Sequence, residues 1–143
     1  QAEALGVLVK APGCDVNQAM KNGATPAHYA AQNDQAEALG VLVKARCDVN
    51  RAMKDGATPA HLAAQHGQTA ALELLVEAGC DVKKTANNGA TPAHLAAQHG
   101  QTATLELLVE AGCDVNQTAK NGATPAHLAA QEGQTSALKV LVG

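Results

Sequence analysis

Gly23-Ala24-Thr25-Pro26-Ala27-His28 is the stretch that decides the fold. The same six residues return at Gly56 to His61, Gly89 to His94 and Gly122 to His127, each copy 33 residues after the last. A fixed period of this size marks a stack of supersecondary units, none of which buries its apolar face alone. The hexapeptide itself reads as a helix start. Asn22-Gly23 before it is a two-residue hairpin-turn signal, because Gly tolerates positive φ and Asn tolerates the left-handed region. Thr25 can cap a free N–H, and Pro26 at the first helical position gives up a donor that would have no partner anyway.

Working outward, the spacing predicts a short helix over about Pro26 to Gln32 and a second over about Ala36 to Ala45. Cys47-Asp48-Val49-Asn50 then runs extended toward the next turn. Gly67, Gly100 and Gly133 are placed to close the first helix of their units, and Gly79 and Gly112 the second, as left-handed C-terminal residues. The whole chain, 1–143, is one array. It divides into a partial unit at 1–21, full units at 22–54, 55–87 and 88–120, and a truncated unit at 121–143. The second and third full units differ only at positions 55/88, 71/104, 83/116, 84/117 and 87/120. In the partial unit, QAEALGVLVKA repeats the sequence of 35–45, and Leu5, Leu8 and Val9 share one helical face that Pro12 should end. Both termini fall inside a unit, so an excerpt of a longer array is expected.

Composition narrows the function. The 143 residues include one Tyr, no Phe and no Trp. An Ala, Leu and Val interior suits thin layers between short helices, not a thick core built on large rings. The formal charge of −3 gives no electrostatic reason to expect nucleic acid or an anionic membrane. No apolar run approaches the ~20 residues that span a bilayer.

Thr25-Pro26-Ala27-His28-Tyr29-Ala30-Ala31, its three later copies and the Gly79-Cys80-Asp81-Val82 type of exit together resemble the ankyrin repeat over the whole chain. The resemblance implies an all-α solenoid of helix-turn-helix units with short hairpin or turn projections. Departures from the family pattern are informative. Ala27, Ala60, Ala93 and Ala126 stand where the family usually has Leu, and Thr69, Ala71, Thr102 and Thr104 are also small. A cavity at each would cost roughly 2–5 kcal/mol, so closer packing of the units is expected. Asp34 and Arg46 stand where later units have Gly. Non-Gly residues at positive φ are uncommon, which makes the first full unit the least regular. The resemblance also implies that the Asn after Val in the exit loop can be hydroxylated; Asn50 and Asn116 match that position and Lys83 does not.

Two ladders could carry chemistry. Cys14, Cys47, Cys80 and Cys113 recur at the repeat period. Equivalent residues of neighbouring units lie about one helix spacing apart, ~8–10 Å, beyond the ~7 Å between Cα atoms that a disulfide bridges. Small buried thiols in a reducing compartment are expected, hence an intracellular, cytoplasmic protein. His28, His61, His94 and His127 recur too, without a Ser, Cys or carboxylate in a nucleophile–base arrangement. The bland reading has each ring tying the first helix to the adjoining turn; the resemblance implies the hairpin loop as its partner. His61 and His66 are five apart and share no helix face. Gly-Ala-Thr-Pro lacks the Gly-Lys-Ser/Thr ending of a phosphate loop. No enzyme activity, cofactor or metal is therefore expected. Lys44, Glu77 and Glu110 read as a solvated outer face.

A stack keeps its interior constant and varies what points outward. The resemblance implies a concave binding surface made of turn tips and the inner side of the first helices. By position its candidates are Lys21, Asn22, Gln32 and Asn33; Lys54, Asp55, Gln65 and His66; Asn87, Asn88, Gln98 and His99; and Lys120, Asn121, Gln131 and Glu132. Apart from Met20 and Met53 this surface offers few apolar anchors. The function expected is a non-catalytic scaffold that binds another protein. A structural spacer in a larger assembly, contacting neighbours by its ends and outer helices, is the alternative. A designed consensus array is suggested by the near-identity of the second and third full units, but Asp34, Arg46, the extra residue beside Pro12 and the four free cysteines argue against it.

Overall fold

The computed structural model describes residues 13–143. The expected helix face of Leu5, Leu8 and Val9, and Pro12 as its stop, lie outside the described residues. From there the helices come in pairs. Helices α1 (Pro26–Gln32) and α2 (Ala36–Lys44) form the first full unit, α3 (Pro59–His66) and α4 (Thr69–Glu77) the second. The third is α5 (Pro92–Gln98) with α6 (Thr102–Glu110), and the last is α7 (Pro125–Gln131) with α8 (Thr135–Val142). No strand occurs among the described residues. The chain is thus the all-α solenoid that the period predicts.

Each first helix starts where the hexapeptide says it should. Thr58 sits in extended backbone, φ −96° and ψ 169°, with Pro59 at the first helical position. Pro supplies its own fixed φ and leaves no N–H unbonded. Each helix of the second unit then ends at a left-handed glycine, φ 72° at Gly67 and 86° at Gly79. In the first full unit the same conformations fall on Asp34, φ 54°, and Arg46, φ 66°. That unit keeps the conformation and helix lengths of the third full unit despite the non-glycine residues, so the expected irregularity does not show in its backbone.

The projecting turns differ from the Asn-Gly reading. The Gly23 N–H donates to the Met20 carbonyl at 2.9 Å, and the Met20 N–H donates to the Ala24 carbonyl at 2.9 Å. This is a three-residue loop, Lys21-Asn22-Gly23, with only its glycine left-handed at φ 87°. Asn22 stays out of the left-handed region because its side chain has another use: its Oδ1 accepts from the Ala24 N–H at 2.9 Å. Adjacent turns are joined by single backbone bonds, Lys54 to Asn22, Asn87 to Asp55 and Lys120 to Asn88, at 2.9–3.0 Å.

The four first helices pack side by side in one row and the four second helices in another, each pair also closing on itself. The first row is lined by Ala27, Ala31, Ala60, Ala64, Ala93 and Ala97, all enclosed. The second row carries Leu39, Leu42, Leu72, Leu75, Leu105 and Leu108. Helix separation follows the size of the side chains between the axes. The alanine row therefore packs more closely than the leucine row, and its helices touch more extensively. Closer packing along the first row than along the second is the kind of packing that would curve a stack toward its first helices.

Candidate functional site

The histidine ladder belongs to the framework. At His61 the ring Nδ1 accepts from the Thr58 N–H at 3.1 Å and lies 2.8 Å from the Thr58 hydroxyl. The ring Nε2 lies 2.9 Å from the Ala90 carbonyl oxygen, in the turn of the next unit. A carbonyl only accepts, so Nε2 carries the proton and Nδ1 is the acceptor. His28 and His94 make the same pairs, to Thr25 and Ala57 and to Thr91 and Ala123. Each ring spans a unit boundary, one step further than the adjoining turn of its own unit. Burial pushes all three below the ordinary histidine value of 6.5, although the carbonyl bonds partly oppose the shift. These are neutral structural rings. His127, in the last unit, keeps its bonds to Thr124 but is exposed.

Three of the four cysteines have equally little reactivity to offer. All four are free thiols, Cys47 buried, Cys80 and Cys113 half-buried and Cys14 exposed. Burial raises the thiols of Cys47 and Cys113 and pushes Cys80 up to about 11. A thiol held that high is not a nucleophile near neutral pH. Among the described residues no set of three His, Cys, Asp or Glu side chains could hold a metal ion.

Turns and first helices enclose two adjoining grooves. The first, about 300 Å³, has Asp55, Asn87 and Asn88 as its wall and Leu62 and Leu95 as its floor, with Gln65 at the side. The second, about 430 Å³, has Asn88, Lys120 and Asn121 as its wall and Leu95 and Leu128 as its floor, with Gln98 at the side. Asn88, Ala90 and Leu95 belong to both. The polar wall was expected from the sequence, and the floor was not. Leu62, Leu95 and Leu128 are half-buried, and Tyr29 takes their place in the first full unit. Tyr29 is 41% exposed, next to Met20 at 59%, and its hydroxyl donates to the Met20 sulfur at 3.0 Å. The surface thus has an apolar row where few anchors were expected. The signal was present in the sequence, as a large residue after every motif histidine, but it reads as helix interior.

Several of the candidate residues have structural duties. Asn22, Asp55, Asn88 and Asn121 each accept through Oδ1 from the backbone N–H two residues on, at 2.9–3.0 Å. Asn87 donates to the Lys54 carbonyl at 2.8 Å, and Asn33 donates to the Tyr29 carbonyl at 3.0 Å. Gln32, Gln65 and Gln98 are half-buried, and their carbonyls accept from Gln68, Gln101 and Gln134 of the next unit at 2.7–3.1 Å. Lys21, Lys54, His66, His99, Gln131 and Glu132 are exposed. His66 and His99 lie outside both grooves, as do Asn33 and Glu132. On the far edge Asn17 and Asn50 accept from the N–H of Asp48 and Asp81, joining exit loops at 2.7–2.8 Å.

Among the described residues no helix is long and apolar enough to cross a membrane. The family model described as ankyrin repeats (3 copies) matches the chain over residues 1–86 and 78–143. No curated protein matches it.

Proposed function

The chain belongs to the ankyrin-repeat family, and from that premise we propose that it is a non-catalytic scaffold that holds a partner protein on its concave surface. Ankyrin repeats are generally protein–protein interaction modules and generally non-catalytic. The observation that carries the reading is the pair of adjoining grooves, with an apolar floor and an amide-rich wall. Interfaces combine a desolvated apolar centre with polar groups that fix orientation. The framework histidines and threonines are consumed by internal bonds, which leaves the leucine floor, and whatever the turn bonds do not use of the polar wall, to meet a partner.

The spacer alternative rests on a different place. Between α2 and α4 an outer groove of about 410 Å³ is lined by Glu37, Glu73 and Glu77 over Ala36, Ala70 and Leu74. A photocrosslinking amino acid placed in turn at Gln65, Gln98, Glu73 and Glu77 in native extract separates the two. Partner adducts from Gln65 and Gln98 alone are expected. Adducts confined to Glu73 and Glu77 would transfer the reading to the outer helices.

A further inference from the structure

Lys-Asn-Gly-Ala-Thr-Pro-Ala-His occurs twice, at Lys21 to His28 and at Lys120 to His127. Both copies build the same loop. Asn22 and Asn121 are exposed, and each accepts through Oδ1 from the N–H two residues on, at 2.9 and 3.0 Å. The glycine N–H that follows donates back to the Met20 or Ala119 carbonyl at 2.9 Å. Asparagine is thermolabile, and most so before glycine, where no side chain shields the next peptide nitrogen. That nitrogen attacks the asparagine Cγ. A C–N bond forms, the glycine N–H proton passes to the side-chain amide, and the amide leaves as ammonia. Water then opens the succinimide at one carbonyl to give aspartate. Opened at the other it gives isoaspartate, whose main chain runs through the side chain.

What the two copies do not share is the turn beyond them. Ring closure swings the Asn–Gly peptide about the asparagine Cα–C bond, so its nitrogen approaches Cγ and its carbonyl oxygen turns the other way. The Asn22 carbonyl accepts from the Lys54 N–H at 3.0 Å, a bond that must break first, and Lys120 holds the Asn88 carbonyl in the same way. A Cβ on Gly23 would lie 2.8 Å from the Lys54 nitrogen, and one on Gly89 2.7 Å from the Lys120 nitrogen, so the next turn also crowds the swing. Among the described residues no backbone N–H donates to the Asn121 carbonyl, and a Cβ on Gly122 would meet nothing within 4 Å. Gly122 is exposed where Gly23 and Gly89 are half-buried. The fold already holds the product residue at this position. Asp55 stands there in the second full unit, its Oδ1 accepting from the Ala57 N–H at 3.0 Å as that of Asn121 does from Ala123. We propose that Asn121 is a site of self-modification, converting to aspartate and isoaspartate faster than its twin Asn22. It walls the second groove beside Lys120, so conversion sets a carboxylate on that wall.

The chain carries its own control, because the two octapeptides are identical and only the fold around them differs. Ageing the folded 143-residue chain in mildly alkaline buffer, then digesting it in acid and mapping the peptides by mass, reads each site separately. Labelling the digests with an isoaspartyl methyltransferase tells isoaspartate from aspartate. Asn121 should convert about two- to tenfold faster than Asn22, the factor that one net hydrogen bond contributes to a rate. Asn88 should stay with Asn22. In urea beyond the unfolding transition Asn22 and Asn121 should convert equally. Equal or reversed rates in the folded chain, or no conversion at Asn121, overturn the proposal. So does an excess at Asn121 that persists in urea, since the fold would then not be its cause.

Discussion

Gly56 and Gly122 occupy the same place in their units at nearly the same φ, 88° and 87°. Their surroundings differ. A Cβ on Gly56 would come within 2.6 Å of the Asn87 nitrogen and 2.9 Å of the Ala86 Cα, both backbone atoms of the next turn. A Cβ on Gly122 would meet nothing within 4 Å. The left-handed conformation costs an alanine about 1–2 kcal/mol at either site. Gly56→Ala must in addition push two projecting turns apart, which adds about 1–3 kcal/mol of overpacking. Chemical denaturation should rank the variants accordingly, with Gly122→Ala clearly the milder. Equal losses would mean that close approach of the turns contributes nothing. The sequence shows that a glycine is needed here, since it recurs beside a turn-forming Asn or Asp. It shows only half of the reason. Positive φ is a local property and is legible, while the backbone atoms of a turn 33 residues away are not.

At the scale of elements, the Thr-Pro start, both helices of each unit and the left-handed stops were readable, because each rests on residues a few positions apart. The turns were misread for the same reason in reverse: Asn22 could serve either as a left-handed residue or as a side-chain acceptor, and local sequence does not choose. The exit loops show how a single position then tunes the stack. Asn17 and Asn50 tie their loops to the next ones through Oδ1. Lys83 stands at the corresponding position of the following unit with the same local turn, its N–H donating to Asp81 Oδ1 at 2.9 Å as that of Asn50 does to Asp48 at 3.0 Å. A lysine has no acceptor to offer Asp114. Lys83→Asn should restore the bond and stabilise the array by about 0.5–1 kcal/mol, the range of one net hydrogen bond. A higher urea midpoint with an unchanged slope is the expected result. The resemblance pointed to Asn50 as a modification site; the structure gives its side chain a bridging bond.

For the whole molecule, stability is a sum of unit terms and boundary terms, and each boundary after the first three motif copies carries one buried histidine. His28, His61 and His94 all accept at Nδ1 and donate at Nε2. A proton added at Nδ1 would face the Thr N–H that now donates to it. Burial holds the folded pKa of each ring below 6.5, while the Asp55 carboxylate pulls weakly the other way at His28 and His61. In the unfolded chain the same rings titrate near the ordinary value. Below it the unfolded state binds more protons than the folded one, so stability rises with pH through that window. The contribution is fully present above about 6.5 and is lost as pH falls toward the depressed folded values. Urea midpoints measured from neutral pH downward should therefore fall once pH drops below about 6.5. Replacing His61 alone by Gln should lower the midpoint at neutral pH and flatten the decline, because one boundary no longer titrates. A midpoint unchanged between neutral pH and the onset of carboxylate titration, near 4, would show that the ladder does not couple protons to the stack. The ladder was visible in the sequence as a period, and its bland reading was right. That each ring closes the boundary to the next unit required the next turn and its Ala carbonyl to be in place.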